Sequence, residues 1–240
     1  GLTAEPVLLG LLVAPSLPGL LLGVAALLAF VARTPLRVVL VDRHRDRSLP
    51  RTTLALRVLA VELVAIAALV AAVVPLAAGA FWWPAVIAAP LVGVELWFDM
   101  RSRSRRLLPE LAGTFGIGAV AAMIVLAGDH GAREAIAVWL VLAARAATSI
   151  PHVRAQIARL HGRPVSERQL VATDIAALVV AACAVVVVPA SVAGAAAVVG
   201  VVVFQRITAR APAPAKVVGI RQTVLGVIVV AAAALGLSIA

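Results

Sequence analysis

Residues 170–188 read Leu170-Val171-Ala172-Thr173-Asp174-Ile175-Ala176-Ala177-Leu178-Val179-Val180-Ala181-Ala182-Cys183-Ala184-Val185-Val186-Val187-Val188, an apolar run with one charge, bounded by Arg163 and Arg168 before it and Pro189 after it. A helix needs roughly 20 such residues to cross about 30 Å of hydrocarbon. The rest of the chain repeats the pattern. Of its 240 residues 63% are hydrophobic and 13% charged, against roughly 45–50% and 25% in soluble domains. A soluble fold has nowhere to hide that much Ala, Val and Leu, so lipid is the solvent these runs require.

Pro, Gly and Arg punctuation divides the chain into candidate spans near residues 2–15, 18–32, 54–77, 82–99, 107–127, 134–151, 170–188, 190–205 and 217–239. The first two are separated only by Ser16-Leu17, and read either as a tight hairpin or as one element kinked around Pro15 and Pro18. The expected fold is all-α: a polytopic transmembrane bundle of about nine helices, or eight, forming a single transmembrane domain over residues 1–240. Gly1-Leu2-Thr3-Ala4-Glu5 lacks an initiator Met, a basic n-region and a cleavage site. Upstream residues are therefore expected, with an incomplete first helix.

The net charge of +10 invites a nucleic-acid reading, and the placement of the cations argues against it. Arg33, Arg37, Arg43, Arg45, Arg47, Arg51 and Arg57 follow the second run; Arg101, Arg103, Arg105 and Arg106 follow the fourth; Arg154, Arg159, Arg163 and Arg168 follow the sixth; Arg206, Arg210, Lys216 and Arg221 follow the eighth. The alternate loops carry only Arg133. By the positive-inside rule the basic loops are cytoplasmic, the N-terminus is inside and the C-terminus outside. Trp82 and Trp83 at one end of the fourth run, with Trp97 and Phe98 at the other, suit an aromatic belt. Cys183 stands alone in an apolar run and excludes a disulfide framework.

Ionisable residues inside spans are costly unless they face the bundle interior or water. Glu62, Glu95, Asp99, Glu110, Arg145 and Asp174 are the candidates. Glu95 and Asp99 share a helix face, with Arg103 a turn further on, a set that either pairs with loop arginines or holds a metal or a proton. Glu62 and Arg145 form a structural ion pair if they meet, or else line a polar pocket. Asp42 and Asp46 have D-x-x-x-D spacing, which on one helical face suits Mg²⁺, although the flanking arginines offer both carboxylates ordinary partners. Leu36, Val38, Val39, Leu40 and Val41 read as a short interfacial amphipathic helix. His44, His130, His152 and His161 fall in no local zinc or haem spacing. Walker A, G-x-S-x-G and dinucleotide fingerprints are absent.

Four stretches carry a resemblance: Glu5-Pro6-Val7-Leu8-Leu9-Gly10; Leu108-Pro109-Glu110-Leu111-Ala112-Gly113; Ser149-Ile150-Pro151-His152-Val153-Arg154-Ala155; and Pro214-Ala215-Lys216-Val217-Val218-Gly219 with Gln222. Together they resemble the YwiC-like family of bacterial membrane proteins over essentially the whole chain. That resemblance implies helix pairs alternating with basic loops in the bacterial cytoplasmic membrane, and a charged, His-bearing segment before the first helix. The layout also resembles the UbiA-type prenyltransferase superfamily, with Asp42 and Asp46 where its first acidic motif falls. There the second acidic loop is missing, since residues 152–163 contain no acid. Mg²⁺ is implied only on this prenyltransferase-like reading.

Three functions follow as expectations. The first is binding of an anionic or isoprenoid lipid at the arginine-rich face, with Arg154, His152, Lys216 and Arg103 as anion contacts. The second is a divergent prenyltransferase using Asp42 and Asp46. The third is a small-molecule transporter with Glu62, Glu95 and Arg145 along its path, although no internal repeat is evident. The sequence leaves a protein partner open.

Overall fold

The computed structural model describes residues 4–47, 49–101, 106–209 and 213–239. Over these the chain forms nine α-helices and no strand: α1 (Ala4–Val13), α2 (Leu17–His44), α3 (Pro50–Val73), α4 (Trp83–Met100), α5 (Leu107–Ala127), α6 (Ala132–Leu160), α7 (Glu167–Val187), α8 (Val192–Thr208) and α9 (Ala215–Ser238). A single 3₁₀ turn, Pro189–Ser191, leads into α8. Eight helices, α2 to α9, with α8 taken together with its 3₁₀ turn as Pro189–Thr208, are long and apolar enough to cross a membrane. With 10 residues, α1 reaches about 15 Å, half the depth of a bilayer core.

The hairpin reading of the first two runs is the correct one. Ser16 caps α2 by accepting a hydrogen bond from the Gly19 N–H at 3.1 Å, and Pro18 supplies the fixed φ that suits a helix's first turn. The separate interfacial helix expected at residues 36–41 does not exist, because α2 continues through Pro35 to His44. An internal proline deletes one backbone bond, which neighbouring helices make tolerable in a membrane bundle. Twenty-eight residues span about 42 Å, so the last turns of α2 project beyond the hydrocarbon, and the 29 residues of α6 do the same.

The connections sort into two ends. The α1–α2 turn packs Ala14 and Ser16 on Gly128, between α5 and α6, and Gly79 of the α3–α4 connection lies near the Leu126 carbonyl. The opposite end carries the arginines. There Asp42 of α2 accepts from Arg51 of α3 at 2.8 Å, and Arg159 of α6 pairs with Glu167 of α7.

Packing divides the bundle into two groups, α2–α5 and α6–α9, joined directly along α5 and α6. Those two helices hold the core, where Ala121, Ala122, Ile124 and Val125 of α5 meet Ala135, Val138, Val141 and Ala144 of α6. On the other side of the molecule α2 and α9 are not packed together; α1 lies between the groups, against α5, α9, α2 and α6. α1 packs into one end of this seam, and toward the arginine-rich end the described residues line a cavity.

Candidate functional site

The open part of the seam is a cavity of about 840 Å³. Its walls come from α2 (Arg33), α4 (Glu95), α5 (Glu110, Thr114), α6 (Arg145, Ser149, Ile150, Val153, Arg154, Ile157) and α9 (Lys216, Gly219, Ile220, Gln222, Thr223, Val224), with Glu5 of α1. Four cations and three carboxylates line one space between membrane helices, where isolated charges are costly.

Arg145 is 1% exposed. Its Nη2 donates to Glu5 Oε1 at 3.0 Å and to the Gln222 carbonyl at 2.6 Å. Its Nη1 donates to Ser149 Oγ at 2.5 Å and reaches Gln222 Oε1 at 3.4 Å. Nε is buried without a partner. A Cβ at position 226 would overlap the Glu5 carboxylate and Arg145 Nη2, so Gly226 makes room for the pair.

Higher in the wall, Arg33 joins α2 to α4. Its Nη1 meets Glu95 Oε1 at 2.7 Å, while Nε and Nη2 donate to Asp99 Oδ2 at 3.2 and 3.0 Å. Asp99 is fully enclosed, and its Oδ1 has no hydrogen-bond partner. The Glu95 carboxylate lies where a Cβ of residue 113 would be, so Gly113 of α5 seats it. Arg154 Nη1 donates to Glu110 Oε2 at 2.9 Å, both side chains being partly exposed.

A second, mostly apolar cleft of about 420 Å³ adjoins the cavity and shares Arg33, Glu95 and Thr114 with it. Ala26, Ala29, Phe30, Leu36, Leu59, Leu63, Ile66, Val92, Leu96, Ile117 and Val120 line its remainder. Arg33 also borders a third groove, which carries Arg37, Asp42 and Arg51, toward the arginine-rich end. Arg33 is thus common to a charged cavity, an apolar cleft and a basic groove.

Several expected site residues come together here and others do not. Arg154, Lys216, Glu95, Glu110 and Arg145 line the cavity. The Glu62–Arg145 pair is a correction: Arg145 is committed to Glu5, and Glu62 keeps a buried, unpartnered Oε2 on α3. Glu95 and Asp99 do share a face, but the cation on it is Arg33; Arg103 lies outside the described residues. His152 is half-buried on α6 and absent from the cavity wall; the charges facing it are Arg159, Asp174 and Arg206.

Asp42 and Asp46 do not share a helical face either. Asp42 is buried, accepting from both Arg51 nitrogens and from the Thr52 hydroxyl at 2.7 Å. Asp46 lies beyond the end of α2 with φ 49°, in the left-handed position that closes the helix, where Arg47 N donates to the Asp42 carbonyl at 2.9 Å. Helix termination separates the two carboxylates that the spacing had placed together. Among the described residues no cluster of three or more His, Cys, Asp or Glu side chains is placed to hold a metal.

Glu5, Arg33, Ser149 and Gln222 are the site residues that sequence reasoning did not single out for this role. Glu5 and Gln222 stood in quoted motif stretches, and Arg33 was counted only as a loop cation.

No curated protein and no solved structure matches the chain. A family model described as YwiC-like protein matches residues 1–127, a region that holds Glu5, Arg33, Glu95, Asp99 and Glu110 and more than half of the 240 residues. With half of the charged seam inside the match and an apolar multi-span bundle around it, the chain belongs to the YwiC-like protein family.

Proposed function

We propose that this membrane protein binds an anionic amphipath, an isoprenoid or other lipid with a phosphate-type head, in the seam between its two helix groups. The observation that carries this reading is that the charged cavity and the apolar cleft lie side by side and share Arg33, Glu95 and Thr114 as lining residues. Binding sites for small ligands are concave, mostly apolar and fitted with a few polar anchors. A ligand that is charged at one end and hydrocarbon at the other fits both volumes at once. Its head lies among Arg33, Arg154 and Lys216; its tail follows Phe30, Leu63 and Ile117.

The arginine-rich end faces the cytoplasm on this reading, as the bias of the loops supports, and the membrane is the bacterial inner one. A membrane-impermeant maleimide applied to intact cells, in a Cys183→Ala background, then labels Asp129→Cys and leaves Gly162→Cys unlabelled. The reverse pattern overturns the orientation.

Thermal-shift titration in detergent tests the ligand class. A long-chain prenyl diphosphate raises the midpoint by mass action, without Mg²⁺, and the neutral prenol does not. Arg154→Ala reduces the rise. A rise that requires Mg²⁺ and is lost in Asp42→Ala favours prenyl transfer instead, although no observation now supports that: Asp42 is occupied by Arg51 and Thr52. No response to any amphipath overturns the reading.

A further inference from the structure

The charge inventory of the seam raises a problem for any anion that enters it. Each guanidinium in the wall already faces a carboxylate: Arg145 with Glu5, Arg33 with Glu95 and Asp99, and Arg154 with Glu110. Lys216 is exposed at the rim. An added negative charge deep in the seam lacks an uncommitted cation there, and burying a charge without compensation costs several kcal/mol. Something else must arrive with the anion.

We infer that an anion and a proton enter the seam together: the anionic head takes Arg33 Nη1 from Glu95, and Glu95 takes up a proton from water. This rests on the anion-binding reading. An O–H bond forms on Glu95, the Arg33–Glu95 ion pair is exchanged for an Arg33–anion pair, and for each negative charge seated on Arg33 the proton on Glu95 supplies the balancing positive charge.

The geometry points to Glu95 among the three acids. Asp99 holds the Nε and Nη2 side of Arg33 and is sealed from both cavities, whereas Glu95 holds only Nη1 and borders both. One guanidinium therefore serves two carboxylates one helical turn apart. A fully buried Asp99 Oδ1 is already without a partner, so this cluster holds more acid than its cation can satisfy. Glu110 and Arg154, by contrast, are each about one-third exposed and water screens them. Seated against Gly113 and facing Val92, Leu96 and Ile117, a neutral Glu95 suits its surroundings better than an unpaired carboxylate.

Arg33 of α2 pairs with Glu95, and Asp99 of its own helix shares that cation; the other charged groups lining the same cavity are Glu110 of α5, Arg145 and Arg154 of α6, Glu5 of α1 and Lys216 of α9. α3 contributes only Leu59, Leu63 and Ile66 to the cleft.

Calorimetry on the full chain in detergent tests the coupling. The probe is a prenyl sulfate, whose charge is constant across the neutral range, titrated in buffers of different ionisation enthalpy. Uptake of close to one proton per bound anion is expected, with affinity falling up to tenfold per pH unit as pH rises. Glu95→Gln is neutral from the start; it binds without proton uptake, its affinity is flat with pH, and at high pH it binds more tightly than the unmutated chain. Glu110→Gln retains the proton uptake. Binding with no proton taken up by the unmutated chain overturns the coupling and leaves anion binding standing. If Glu95→Gln does not fold, that count on the unmutated chain still decides. Absence of binding in every form overturns the anion reading itself.

Discussion

Arg145 shows how far a single residue constrains this bundle. It is among the largest fully buried side chains, and its partner Glu5 is 140 residues away in the chain. Removing one member of a buried pair strands the other charge, at a cost of about 3–5 kcal/mol. Arg145→Ala is accordingly expected to lower unfolding free energy in mixed micelles by that amount, and adding Glu5→Gln to recover part of it, since no charge is then stranded. A loss under about 1 kcal/mol, the scale of an exposed pair, would mean that water reaches the site. The sequence made the burial of Arg145 legible, because it stands inside an apolar run. It did not reveal the partner: Glu62 lay well inside a span, whereas Glu5 stands near the start of the first run, 2–15, and was not weighed among the ionisable residues of the spans. In the fold the first described turn of α1 lies beside the middle of α6, which makes Glu5 the neighbour.

At the scale of elements, α6, α7 and α8 are tied by a polar relay through the core. Thr148 Oγ1 lies 2.6 Å from Asp174 Oδ1 and 2.9 Å from Gln205 Oε1, and Gln205 Nε2 lies 3.3 Å from Ser149 Oγ. One hydroxyl proton cannot serve both acceptors. Rotating the Gln205 amide, whose O and N are interchangeable by shape, resolves this. Arg145 then donates to Ser149, Ser149 to Gln205 Oε1, Gln205 Nε2 to Thr148, and Thr148 to Asp174, which Arg206 also holds at 2.5 Å. Thr148→Val and Gln205→Leu should each destabilise by about 1–3 kcal/mol. The double variant should cost less than their sum by about 0.5–3 kcal/mol; strict additivity would show that they are not one network. The apolar runs made the helices themselves legible. The ends of α2 and α6 were not, because extension past the bilayer relies on Schellman closures at Asp46 and Gly162, where Arg47 N and Arg163 N each bond back to the Asp42 and Ala158 carbonyls. A sequence signal for both existed: Pro35, Arg43 and Arg47 have the same spacing as Pro151, Arg159 and Arg163.

That shared spacing extends to the whole molecule. In each group the first helix is the longest, contains a proline and packs on the other three: α2 on α3, α4 and α5, and α6 on α7, α8 and α9. A two-fold relation between the groups pairs the α5–α6 contact with one between α9 and α2. The second contact is missing, and α1 and the cavity occupy its place. The seam is thus the place where the two groups, alike in the packing of their first helix, do not meet directly. Gly219 of α9 borders the cavity, and an added Cβ there would meet no atom within 4 Å, which makes it the position from which to fill the seam. Gly200 of α8 has the same free space and lines neither the cavity nor the cleft. Replacing a helical glycine raises helix stability by a few tenths of a kcal/mol up to about 1. Gly219→Trp and Gly200→Trp should therefore both fold at least as well as the unmutated chain, while only Gly219→Trp loses the thermal shift given by a prenyl diphosphate. Equal retention of that shift in both variants would place the ligand elsewhere than between α2 and α9.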